Sequence, residues 1–91
     1  MKKLILYSKP GCHLCEGLQE KLETLPVDLE VRNITLNDAW FQKYQYEVPV
    51  LCHPVLQGDD WVEQPLPRLS PRASEQKVAQ MIQTYTGPFE A

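Results

Sequence analysis

The chain has 91 residues, 9 basic and 12 acidic side chains and a formal net charge of −3, which is enough for one small domain over 1–91. A chain of this size removes roughly 60–65% of its unfolded surface from water, and its 43% hydrophobic content is ordinary for a globular protein. The mildly acidic balance, with scattered lysines and arginines, excludes the electrostatic footprint of a nucleic-acid or anionic-membrane binder, and no run approaches the ~20 apolar residues of a membrane span.

Lys3-Leu4-Ile5-Leu6-Tyr7 is a short, almost continuous apolar run, as expected of a buried parallel strand. It is too short for the roughly 7–15-residue apolar region of a secretory signal, so a soluble, monomeric, cytoplasmic protein is the expectation. Pro10-Gly11 marks a turn. From Cys12 to about Leu25 the period changes: Leu14, Leu18, Leu22 and Leu25 recur at helical spacing, and Pro26 ends the helix. Val27, Leu29 and Val31 then alternate with charged residues, predicting a second strand and so a parallel βαβ unit.

Asn37 or Asp38 can cap a short helix through about Tyr44, with Trp40, Phe41 and Tyr44 available for packing. Val48-Pro49-Val50-Leu51-Cys52 begins a third strand, in which Pro49 must occupy the start or an edge. Gln57-Gly58-Asp59-Asp60 has turn chemistry, and Trp61-Val62 opens the returning strand of a hairpin. Leu66 to Leu69, broken by Pro65 and Pro67, is irregular. Ser70-Pro71 resembles a helix start, with Val78, Met81, Ile82 and Tyr85 as the core stripe and Gly87-Pro88 as the stop. The predicted order is β-α-β-α-β-β-α.

Chemistry concentrates in Gly11-Cys12-His13-Leu14-Cys15. Three cysteines, two of them as C-x-x-C, suit redox chemistry or metal binding in a reducing space better than a secreted disulfide scaffold. A cysteine attacks a disulfide only as thiolate, and the first turn of a helix presents unpaired N–H groups and the positive end of the helix dipole. Both favour a negative sulfur at Cys12. The three-residue offset brings Cys15 to the same side, close enough for a disulfide, so one thiol can attack and the other resolve. His13, if protonated, further favours the thiolate. Cys52 and His53 read as a packed core thiol and a solvated imidazole.

Tyr7-Ser8-Lys9-Pro10-Gly11-Cys12-His13-Leu14-Cys15 and Glu47-Val48-Pro49 resemble the strand–turn–helix and Thr-Val-Pro segments of the glutaredoxin-like branch of the thioredoxin superfamily. The resemblance implies an α/β thioredoxin-like fold, a mixed four-stranded sheet flanked by helices, and a thiol–disulfide oxidoreductase. It implies Cys12 as nucleophile, Cys15 as resolving thiol and Pro49 as a cis-proline facing them. It also implies that the Val48 backbone pairs with bound peptide or glutathione, and that Lys9 meets a glutathione carboxylate. The substrate would be a disulfide-containing protein or a glutathione mixed disulfide. No cofactor would be permanently bound, with glutathione a possible reductant. The chain departs from the family in having His13-Leu14 where Pro-Tyr is usual, in lacking the Gly-Gly and Asp that hold glutathione's other end, and in its long, proline-rich stretch from Gly58 to Ser70. A reductant other than glutathione, thioredoxin reductase among them, therefore stays open.

Two readings from other classes stand beside this one. Cys12 and Cys15, with Cys52 and His13 or His53, could supply zinc ligands, or Cys12 could share an iron–sulfur cluster between two chains. Adjacent Cys52 and His53 on a strand point to opposite faces, which disfavours the zinc set. The other alternative is a redox-inactive interaction module on the same scaffold.

Overall fold

The computed structural model describes residues 1–89. Its elements are β1 (Lys2–Ser8), α1 (His13–Glu23), β2 (Val27–Asn33), a single 3₁₀ turn (Ile34–Leu36), α2 (Asp38–Tyr44), β3 (Val50–Gln57), β4 (Asp60–Pro65) and α3 (Glu75–Thr86). The strands lie in the order β2-β1-β3-β4, with β1 parallel to β2 and the other two pairs antiparallel. This is the mixed four-stranded α/β arrangement and the β-α-β-α-β-β-α order that the sequence predicts.

β1 is central and buried on both faces, so its apolar residues divide between two cores. Leu4 and Leu6 join Leu22, Leu51, Val78 and Ile82 beneath α1 and α3. Ile5 and Tyr7 join Ile34, Tyr44 and Cys52, with Trp40 packed against them, beneath α2. The β1–β3 register runs only from Tyr7↔Val50 to Ile5↔Cys52. Pro54, two residues further along β3, has no N–H to extend that ladder, and the outer part of the hairpin pairs with β4 alone.

Several boundaries differ from expectation. α1 ends at Glu23 rather than Leu25, because Pro26 biases Leu25 away from helical backbone. Leu14 is 48% exposed and lies off the buried stripe; its neighbour Cys15 is the buried one, at a helical spacing that puts it on the same face of α1 as Leu18 and Leu22. Pro49 precedes β3 rather than lying within it. Asn37 caps α2 by accepting the Trp40 N–H at 3.1 Å. The last helix starts four residues later than Ser70-Pro71 suggests: Ser74 is its cap, accepting the Lys77 N–H at 3.1 Å. Ser70 instead closes a separate turn, its carbonyl accepting the Ala73 N–H at 2.9 Å. Val78 and Ile82 are buried as expected, but Tyr85 in the final turn is exposed and joins neither core.

The two positive-φ glycines at turns behave as the sequence requires. Gly11 (φ 76°) reverses the chain before α1, and Gly58 (φ 63°) opens the two-residue Gly58-Asp59 hairpin loop.

Two side-chain clusters were not legible in the sequence. The Lys2 ammonium donates to the carbonyls of Thr86 (2.6 Å) and Gly87 (2.8 Å), placing a cation at the negative end of α3 and tying it to the first strand. On the α2 side, Arg32 lies over the rings of Tyr7 and Trp40. It donates to the Tyr7 hydroxyl (2.8 Å), to Glu63 (3.2 Å) and to Glu30, while the Tyr7 hydroxyl donates to Glu63. Burial and the Glu63 carboxylate push the Tyr7 hydroxyl's pKa up, and Arg32, followed by Lys3, holds the Glu30 carboxyl below its usual range.

Replacing Lys2 with Met keeps the stem but removes the helix-end charge. The expected loss is about 1 kcal/mol of unfolding free energy, read as a lower urea midpoint at unchanged slope.

Candidate functional site

The end of β1, the turn over Pro10-Gly11 and the start of α1 place the Cys12–Cys15 pair at the helix N-terminus. Cys12 is the N-cap residue, with extended backbone, and its Sγ accepts the Cys15 N–H at 3.2 Å. Its carbonyl accepts the Glu16 N–H at 3.1 Å. A sulfur thus fills the position usually held by a serine or aspartate oxygen, satisfying one of the helix's orphan donors. The two cysteines are joined as a disulfide with Cα atoms 5.2 Å apart, within the ordinary range for such a bond. Cys12 is half-buried, whereas Cys15 is only 2% exposed. One sulfur is therefore within reach of a partner and the other lies behind it.

The Val48–Pro49 bond is cis, as the family resemblance implies. The Val48 N–H is already used, donating to the Tyr44 carbonyl at 3.1 Å. Among the described residues no hydrogen bond to the Val48 carbonyl is found, whereas the carbonyls on either side, of Glu47 and Pro49, accept from Arg68. Pro49 and His13 line one common groove. The His13 side chain is 96% exposed, with Nδ1 3.8 Å from the Glu16 carboxylate. Lys9 is exposed, and its ammonium lies 3.4 Å from the Gln45 carbonyl, on the turn leading to Val48.

That groove, about 730 Å³, runs from His13 and Leu14 along α1 to Lys21 and is closed on its far side by Pro65 to Pro71. The segment is irregular in backbone, as the sequence predicts, but it is held in place. The Leu66 N–H donates to the Leu51 carbonyl (2.8 Å) and Lys21 donates to the Pro71 carbonyl (2.9 Å). Arg68 donates to the carbonyls of Glu47 and Pro49 (3.3 Å for the latter), spanning the cis-proline. Sequence reasoning missed Arg68. It stands in a stretch without periodicity, and nothing local indicates which carbonyls an arginine there will meet.

Cys52 is buried among Ile5, Tyr7, Ile34 and Tyr44, on the face of the sheet opposite α1, as a packed core thiol should be. Burial, and then the Glu63 charge, push its thiol up to about 11. His53 points to the other face. It is half-buried rather than solvated, and burial together with the Lys2 charge lowers its pKa. No group of three or more His, Cys, Asp or Glu side chains among the described residues is arranged to hold a metal ion.

The strand order and helix placement define a thioredoxin-like fold. Thioredoxin 1 from the thermophilic eubacterium Thermosipho africanus TCF52B has the same architecture, with a TM-score of 0.52 at 20% sequence identity over 91% of this chain and 92% of that one. The chain belongs to the family described as Glutaredoxin-like domain (DUF836), whose sequence pattern matches residues 3–83. No functionally curated protein matches it. No helix among the described residues is long and apolar enough to cross a membrane.

The Cys52 environment gives a pH-dependent expectation. The folded thiol ionises at about 11 against an ordinary 9.0, so the folded state holds that proton more tightly than the unfolded chain. Its contribution to stability is complete below pH 9 and is lost as the pH rises through about 11. Denaturant midpoints of the native chain should fall over that window, and Cys52→Ala should flatten part of the fall. In the reduced protein at pH 7, alkylation followed by mass spectrometry should modify Cys12 first and Cys52 only after unfolding.

Proposed function

We propose that the protein is a thiol–disulfide oxidoreductase using Cys12 as nucleophile and Cys15 as resolving thiol. The observation that carries this reading is the N–H of Cys15 directed at the Cys12 sulfur at the first turn of α1. In the reduced form the same donor, with the positive end of the helix, favours a thiolate over a thiol. The buried Cys15 suits the second role, since it needs to reach only its neighbour.

The cycle balances as two electrons and two protons. The Cys12 thiolate attacks one sulfur of a substrate disulfide. A Cys12–substrate mixed disulfide forms and the other substrate sulfur leaves, taking up a proton. Cys15 then gives up its proton and attacks the Cys12 sulfur. The Cys12–Cys15 bond closes and the second substrate thiol departs, so that the substrate is reduced and the protein oxidised. Two glutathione molecules or a reductase dithiol would regenerate the reduced pair without a permanently bound cofactor. The carbonyl of Val48 beside cis-Pro49 would receive one backbone hydrogen bond from the substrate, and Lys9 would offer a charge to a carboxylate at the site's edge. His13, fully in solvent, would tune the sulfur only when protonated.

Cys12→Ser should reduce exchange to background in an insulin-reduction or hydroxyethyl-disulfide assay. Cys15→Ser should retain the first step and accumulate a mixed disulfide visible by intact mass. Retention of turnover by the Cys12 variant would refute the mechanism. Supplying either glutathione with its reductase or thioredoxin reductase identifies the electron donor, as only the matching system should sustain turnover.

A further inference from the structure

We infer that the groove between α1 and the Pro65–Pro71 segment selects protein disulfides whose cysteine is flanked by a bulky apolar residue and an acidic one, in preference to glutathione disulfide. The inference rests on the exchange reading above and specifies its substrate class.

Neither cysteine lines the groove, but His13 and Leu14, the two residues between them, and the cis-proline Pro49 do, so the groove lies next to the dithiol. Both walls are apolar: Leu14 and Leu18 on α1, Leu66 and Leu69 opposite, with Val78 and Met81 of α3 behind them. Two of these are costly to leave wet. Leu14 is 48% exposed and Leu69 38% exposed, and they sit on opposite walls of the same cleft. An apolar side chain entering between them would cover both. The walls are already formed, because Arg68, Lys21 and the Leu66 N–H pin the irregular segment through three separate sets of backbone bonds. Binding therefore does not have to order that loop.

Charge completes the specification. Lys21 and Arg68 line the groove, and both are held by carbonyls rather than carboxylates. Neither forms an ion pair among the described residues. Glu47 is the sole acidic residue lining the groove, so on a chain of net charge −3 this rim is locally positive and suits an acidic neighbour of the reacting cysteine. Glutathione has carboxylates but no apolar side chain beyond its own cysteine, so it would leave the leucine walls uncovered.

The test compares kcat/KM of the wild-type protein on glutathione disulfide and on short peptide disulfides. The peptides carry Leu or Ala at the second residue on either side of the cysteine, followed by Glu or Lys. The Leu–Glu peptide should exceed its Ala counterpart by roughly 10- to 100-fold, exceed glutathione disulfide, and lose rate when Glu becomes Lys. Leu69→Glu, a half-exposed position whose folding is checked by circular dichroism, should collapse the Leu-to-Ala ratio towards one. Equal rates for Leu and Ala peptides, no change of that ratio in Leu69→Glu, or a higher rate on glutathione disulfide would overturn the groove assignment while leaving exchange through Cys12 intact. Absence of exchange with every disulfide would overturn the exchange reading, and this inference with it.

Discussion

A sulfur standing where a helix cap usually places an oxygen is the constraint on which the site depends. Cys12 must lie just outside α1, with extended backbone, for its Sγ to accept the Cys15 N–H. That contact directs a donor at the outward cysteine, while packing covers Cys15. Had the helix begun one residue earlier, Cys12 would have entered the first turn and its sulfur would have lost this geometry. The Pro10-Gly11 reversal prevents that, since Gly11 adopts a left-handed backbone that interrupts the helical path directly before Cys12.

The capped helix is useful only because its base does not move. β1, which delivers the turn, is buried on both faces and lies between two cores. On one face α1 and α3 cover Leu4 and Leu6. On the other the short α2 covers Tyr7, and charged side chains continue where the helix stops. Arg32 stacks on the Tyr7 and Trp40 rings and binds Glu63 on β4, so one guanidinium links the sheet's two edge strands across the end of β1. Each carboxylate in this network has an arginine or tyrosine partner, which is the condition for such a cluster to support a fold rather than weaken it.

The approach to the dithiol is built from a different material. The Leu66–Pro71 segment has no regular secondary structure, yet it is anchored by the Leu66 N–H, the Pro71 carbonyl and the Arg68 side chain. Prolines lower the number of donors it must satisfy and limit its freedom before folding, and Arg68 fastens it across the cis-proline. The wall of the groove and the loop that presents Val48 are thereby one mechanical unit, so a change in either is felt at the other.

The sequence by itself determined the element order, the dithiol at a helix start, the hairpin at Gly58-Asp59 and the core thiol Cys52. Each of these is written in nearest-neighbour chemistry: a period of two or 3.6, a proline stop, a glycine that alone tolerates positive φ. It misplaced what depends on competition between equivalent local signals. Ser70-Pro71 and Ser74-Glu75 are both acceptable helix starts, and the fold uses the second while the first becomes an isolated turn. Leu14 and Cys15 both lie near the apolar stripe, and packing buries the cysteine. Only the tertiary structure decided that Lys2 would close α3, that Arg32 would meet Glu63, and that Arg68 would clasp the cis-proline. These partners lie between 19 and 85 residues apart in the chain, and long polar side chains find such contacts only after the sheet has brought their backbones together.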